Sequence, residues 1–253
     1  EHLGEDVLPS RSGYTLAIHD SSELEYTKRD SLSCDLGQIG NGFRRGYISH
    51  NTLLVCPNTG ATLGLANQVL HRRAVVKKGE TRSERQKRDS RESLLWIKGV
   101  RPLPGTRNIV DVCDRGADTS EFIEHEYRSG LTFLIRSSNN RNCYLGHDEL
   151  GGAKALKLHD YARKATATDT WELQVTSKKE FKSKKRKGKK RKVTRKKRTA
   201  TMAVSYAPVQ IKTSRSKKVA PVCLWVLRVW ELNPPKGQER LEWFLLTNHP
   251  VKT

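Results

Sequence analysis

Asn108-Ile109-Val110-Asp111-Val112-Cys113-Asp114, followed at once by Arg115-Gly116-Ala117-Asp118-Thr119-Ser120-Glu121, is the stretch on which the fold turns. Its first half is apolar and β-branched and ends in an acid, the pattern of a buried strand. Asp118 and Glu121 stand at the spacing of a capping box, so a helix is expected to start there with Asp118 as its N-cap. Gly130 supplies a residue that can stop that helix in the left-handed conformation. Residues 131–136 (L-T-F-L-I-R) then read as the next strand. Strand, helix, strand is the unit of an α/β arrangement.

Towards the amino end, residues 14–20 (Y-T-L-A-I-H-D) form a second short β-type run that ends in an acid. Residues 31–45 are polar and rich in Gly and read as a loop. Residues 46–56 and 61–68 flank Pro57-Asn58-Thr59-Gly60, a strong turn signal, and together read as a hairpin. Residues 75–91 are charged without a period and read as exposed. Residues 92–100 bring Leu94, Leu95, Trp96 and Ile97 together before Gly99, which fits a short helix. After Ser137 the character changes. Residues 170–177, 199–212, 221–232 and 240–247 are rich in Val, Trp, Thr and Leu and read as strands, with a turn forced at Asn233-Pro234-Pro235-Lys236-Gly237. The expected organisation is an α/β domain over residues 1–137 and a β-rich region over residues 138–253.

Composition narrows the class. The chain has 253 residues, 35% hydrophobic and 30% charged, which is too polar for a membrane protein and too apolar for a fully disordered one. Its longest apolar run, 222–227, falls far short of the roughly 18 residues of a spanning helix. Its five cysteines are scattered, with no C-x-x-C pair, which argues for reduced thiols and a cytosolic setting. The net charge is +21, from 48 Lys or Arg against 27 Asp or Glu. Residues 178–198 hold 15 Lys or Arg against one Glu, so +14 of that charge lies in one segment. A field of that sign and density attracts polyanions, nucleic acid first; as an unaided sequence feature the run also fits a solvated loop. Within it Lys184, Lys185, Arg186, Lys187, Lys189, Lys190, Arg191 and Lys192 are the candidate phosphate contacts.

Asp20 and Asp114 each close a β-type run. Ligands of open α/β sheets sit beyond the carboxyl ends of strands, and paired carboxylates there can hold a hard divalent ion such as Mg2+. Two ions about 3.5–4 Å apart clamp the attacking and leaving oxygens of a phosphoryl displacement. Asp111 lies on the same strand as Asp114 but, by the strand period, on its opposite face. Other candidates are weaker. His19-Asp20 lacks the nucleophile elbow of a hydrolase, Cys113 reads as core, and Cys143 with His147 has no second ligand pair. Arg115 fits either a phosphate contact or a surface pair with Glu121.

Val112-Cys113-Asp114-Arg115-Gly116-Ala117-Asp118 resembles the V-C-D-R-x-A-D signature of the IS-four (insertion sequence four) family of DDE transposases. Ile18-His19-Asp20-Ser21-Ser22-Glu23-Leu24-Glu25-Tyr26 is similar to that family's I-x-D-T-T-x-L-x-Y block, with Ser21 and Ser22 in place of threonines. Asn233-Pro234-Pro235-Lys236-Gly237, Leu241-Glu242-Trp243 and Leu245-Leu246-Thr247 resemble its I-N-P-P-K-G…L-x-W-L-L-L-T segment. The resemblance implies an RNase H-like catalytic core interrupted by a β-rich insertion that carries a Lys/Arg-rich stretch. It implies Mg2+-dependent cleavage and strand transfer, with Mn2+ as a substitute. The partners implied are double-stranded DNA, as transposon ends and target, and a second copy in a homodimer, in the bacterial cytoplasm beside the nucleoid and without a membrane. Asp20 and Asp114 then match the first two members of the D-D-E triad, and Trp243 matches a Trp that stacks a flipped base.

The chain departs from that pattern in two respects. The family's Y-x-x-R-x-x-x-E helix, which bears the third acid, has no counterpart in this sequence, and neither do the amino-terminal DNA-binding helices. The expectation is a central transposase fragment lacking the carboxy-terminal part of its core, able to bind DNA but not to cut it. A non-catalytic, DNA-binding remnant is the alternative. A basic structural protein of RNA assemblies would leave both acidic blocks unexplained.

Overall fold

The β-forming run Thr15-Leu16-Ala17-Ile18 draws the first strand, β1 (Thr15–Glu25), on which Thr15, Ala17 and His19 are buried and Asp20 is exposed. The computed structural model describes residues 13–28, 31, 35–40, 42–75, 79–100, 108–145, 155–183, 190–213 and 219–251. Its fold is mixed α/β, rich in strand, with few and short helices. It divides into two compact units: Glu1–Ser138 with Lys212–Val222 and Thr247–His249, and Asn139–Ile211 with Cys223–Leu246 and Pro250–Thr253.

In the first unit, β2 (Gly37–Gln38), β3 (Arg45–Val55) and β4 (Thr62–His71) follow β1. β3 pairs antiparallel with β1 on one side and with β2 and β4 on the other. Gly60, at φ 70°, turns the expected hairpin between β3 and β4. A short exposed helix α1 (Arg82–Lys87) precedes a 3-10 turn at Glu92–Leu94, which runs into α2 (Leu95–Gly99). Then come β5 (Ile109–Cys113), α3 (Ser120–Arg128) and β6 (Thr132–Arg136). β5 is parallel to β1, and β6 is parallel to β5. The strand order is therefore β4-β3-β1-β5-β6, with β2 beside the start of β3. α2 lies against β3 and β4, and α3 against β6 and α2. The apolar core includes the cluster of Ile39, Ile48 and Leu95, with Val69 against it.

Two local expectations need correction. β1 does not end at Asp20 but continues to Glu25, because residues 21–25 keep their pairing with β3. Asp118 does not cap α3. The N-cap is Thr119, whose hydroxyl accepts from Phe122 N at 3.2 Å, while Asp118 turns inward and accepts from Ser138 N at 2.7 Å. Gly130 does stop the helix, at φ 68°.

The second unit holds β7 (Asn142–Cys143), β8 (Leu156–Lys157), α4 (Leu158–Ala162), β9 (Asp169–Val175), β10 (Lys178–Ser183), β11 (Lys190–Arg195), β12 (Arg198–Ile211), β13 (Val222–Glu231) and β14 (Glu242–Thr247). The strands β14-β13-β12-β9 are neighbours in that order. Val175, Ala200 and Met202 form their core, and Leu173, Val229, Leu241 and Trp243 pack on it. The basic run, expected as a loop, is instead a β-hairpin in its described part. β10 pairs antiparallel with β11, Lys178 opposite Arg195 and Ser183 opposite Lys190, as a separate two-stranded sheet.

Candidate functional site

The parallel register of β1 on β5 sets Thr15 opposite Ile109 and His19 opposite Cys113. The next residue on each path is an acid, Asp20 and Asp114. On β6, Ile135 stands opposite Cys113, so Arg136 follows beside Asp114. On β3, Asn51 stands opposite Asp20. Residues in register share a face, and neighbouring strands lie about 4.8 Å apart. Asn51 and Asp20 are register partners on β3 and β1, and Asp114, one residue past the end of β5, and Arg136, the last residue of β6, continue this polar row. Both acids are exposed and Arg136 is half-buried. Asp114 also caps the 3-10 turn Arg115–Ala117, its Oδ1 accepting from Gly116 N at 2.7 Å. A Cβ at Gly116 would strike the Trp96 ring, so this turn needs glycine. Burial and then Arg115 push the Arg136 guanidinium down from its ordinary value, and Asp114 pulls it back up. Arg136 still carries its charge.

The opposite face carries a second polar row at the same level, and this one is buried. His19 Nε2 lies 2.7 Å from Asp111 Oδ1, and the two residues are 2% and 5% exposed. His19 Nδ1 is 3.1 Å from Thr52 Oγ1, which donates to Gly99 O at 3.0 Å. Beyond Asp111 stands Glu126 of α3, fully buried, whose carboxyl hydrogen-bonds the Asp111 carboxylate. Burial, and next the Asp111 carboxylate, push the Glu126 pKa well above the usual range, so this acid is neutral. His50 stacks 5.7 Å from His19, and its Nδ1 is 2.8 Å from Ser21 Oγ. Burial, then the neighbouring His19, lower the His50 pKa to about 4.

No family model matches this chain. Among the described residues, no group of three or more His, Cys, Asp or Glu side chains is placed to hold a metal ion.

The remaining sequence candidates are placed as follows. Trp243 is half-buried and packs on the Val175–Ala200–Met202 cluster, where it alternates with Leu241. Lys190, Arg191 and Lys192 lie on β11, whereas Lys184, Lys185, Arg186, Lys187 and Lys189 lie outside the described residues. Glu121 binds Arg91 at 2.9 Å, so it is not a partner reserved for Arg115. Cys113 is buried, and burial drives its thiol pKa far up, which removes it as a nucleophile. Cys143 is fully buried, and His147 lies outside the described residues. Sequence reading missed Arg136 and the His19–Asp111–Glu126 line. The signals were a strand ending in a cation and ionisable residues at the buried parity of their elements.

Proposed function

We propose that this chain is catalytic-core sequence of a DDE transposase, with an RNase H-like first unit interrupted by the β-rich second unit. One observation carries the reading. An antiparallel β4-β3-β1 meander is continued by parallel β5 and β6, and Asp20 and Asp114 each follow the last register pair of β1 on β5, His19 opposite Cys113. That strand order and the position of the two acids support the RNase H-like reading. Asp20 and Asp114 would hold Mg2+ or Mn2+ through carboxylate oxygens. A divalent ion bound there would activate water and stabilise the charge of phosphodiester cleavage. Arg136, one strand further along the row, is placed to bind a phosphate oxygen by charge-assisted hydrogen bonds. Trp243 packs on the Val175–Ala200–Met202 cluster but is only half-buried, so base stacking would use the ring surface left exposed. The DNA itself would be held chiefly by the cations of β10 and β11, in a bacterial cytoplasm and, in the intact protein, by a homodimer.

The pairing of the α3 acids with arginines favours a second reading, a DNA-binding chain that does not cut. Glu121 and Glu124, the acids on α3 nearest in sequence to Asp114, pair with Arg91 and Arg128. The test measures Mn2+ binding by paramagnetic resonance and nicking of supercoiled plasmid. Binding should vanish in Asp20→Asn and in Asp114→Asn, with little nicking by the unmodified chain. Mn2+ binding that survives both substitutions overturns the metal site. Nicking that both substitutions abolish overturns the non-cutting reading and calls for another acid to complete the site.

A further inference from the structure

Asp20, on β1, and Asp114, the residue that follows β5, carry like charges, and Arg136 stands beside Asp114 at the end of the row. A parallel strand pair is joined only by its ladder and by cross-strand side-chain contacts. The opposite face supplies such contacts at the same level. His19 directly precedes Asp20, and its ring reaches the carboxylate of Asp111, its diagonal neighbour on β5, at 2.7 Å. On its other side the same ring meets Thr52 of β3 at 3.1 Å, and Thr52 stands opposite His19 in the register. Thr52 is bonded in turn to Gly99 O at the end of α2. The contacts thus run from α2 through β3 and β1 to β5 without a break.

The row is also closed in from above. A Cβ at Gly99 would stand 2.5 Å from His50 Nε2 and 3.3 Å from His19 Nδ1, so α2 sits directly on the imidazoles and blocks their withdrawal. Glu126 backs Asp111 from α3. A ring held by partners on two strands and covered by a helix resists both sliding and twisting of β1 against β5. A slip of one residue along either strand would break the His19–Asp111 bond and separate the two acids in the same movement.

We propose that the buried row Thr52–His19–Asp111 is a brace that fixes β1 against β5 and so keeps Asp20 and Asp114 side by side. His19 and Asp111 are positioning residues that act on the metal ligands through the backbone. The inference deepens the metal-site reading and rests on it for its purpose, but the brace itself can be tested without metal.

In the full chain, Asp20→Cys with Asp114→Cys places two thiols at the acid positions, and dibromobimane, which fluoresces once it bridges two close thiols, reports their proximity. Each single-cysteine variant sets the background from the native cysteines. Adding His19→Leu should slow bridging about tenfold or more, because a displacement near 1 Å is enough to spoil a reaction geometry. His19→Gln, which can still reach Asp111 and Thr52, should restore the rate to within about twofold of the parent. With both acids in place, His19→Leu should weaken Mn2+ binding about 10–100-fold, the usual loss when the support of a metal ligand is removed. An unchanged bridging rate in a His19→Leu chain that still melts cooperatively overturns the brace. Slowed bridging in a protein whose unmodified form binds no Mn2+ keeps the brace and removes the metal reading. If His19→Leu does not fold, Asp111→Asn and Thr52→Val carry the same test at nearly constant volume, and unchanged bridging in both overturns the proposal.

Discussion

Glu126 lies fully buried beside a carboxylate already committed to His19. Its raised pKa has a definite linkage sign. The native state keeps the proton while the unfolded chain loses it near 4.5, so stability falls as pH rises above that value towards the raised pKa. Glu126→Gln removes the ionisation and replaces the O–H donor to Asp111 by an N–H donor. It should raise the unfolding free energy at pH 8 by about 1–3 kcal/mol and change little near pH 4.5, as urea titrations at the two pH values would show. Gly99 makes the opposite case, since any side chain there meets His50 and His19. Gly99→Ala should cost about 1–3 kcal/mol through overpacking, read as a lower thermal midpoint. The sequence made the exposed members of this site legible, because Asp20 and Asp114 each follow a β-type run. It hid the buried members. His19 and Asp111 occupy positions that alternation assigns to the core, and only the register of β1 on β5 shows them to be partners.

The elements with strong turn or cap chemistry could be read in advance: Gly60 between β3 and β4, Gly130 after α3, and the Pro-rich turn before β14. The β10–β11 hairpin could not, since its β-forming residues Phe181, Val193 and Thr194 are few and its cations repel in the extended pairing. An isolated two-stranded ribbon is marginal in water and buries little. This one carries Lys178, Lys179, Lys182, Lys190, Arg191, Lys192 and Arg195 on its strands, and the major groove of B-form DNA admits a two-stranded ribbon. Replacing these seven residues by Gln should make the log–log salt dependence of duplex DNA affinity shallower by about 4–6, given a slope of about 0.9 per neutralised phosphate. Fluorescence anisotropy from 50 to 200 mM salt is the measurement, and an unchanged slope would move the DNA contacts off the ribbon.

Across the whole molecule, charge that looks uniform in the sequence divides into two kinds. Residues 178–198 supply +14 of the net +21, and from sequence all of it is available to a polyanion. The structure withdraws the last member. Arg198 is the first residue of β12, and its guanidinium grips Glu231 at 2.8 and 2.9 Å and Gln238 at 2.6 Å. The side chains of this pair are only 10% and 2% exposed, and Arg198 holds the Glu231 carboxyl below its usual pKa. Arg228 and Arg163 are likewise bound to Glu242. Breaking a buried pair leaves an uncompensated charge and costs about 3–5 kcal/mol. Arg198→Ala should therefore lower stability by about that amount while leaving the DNA salt slope within about one unit of the parent. The seven-residue ribbon variant should do the reverse, flattening the slope at nearly constant thermal midpoint. Calorimetry and anisotropy on the same two proteins separate these outcomes. A ribbon variant that unfolds, or an Arg198→Ala variant that keeps its midpoint, would show that structural and nucleic-acid charge are not divided at Arg198.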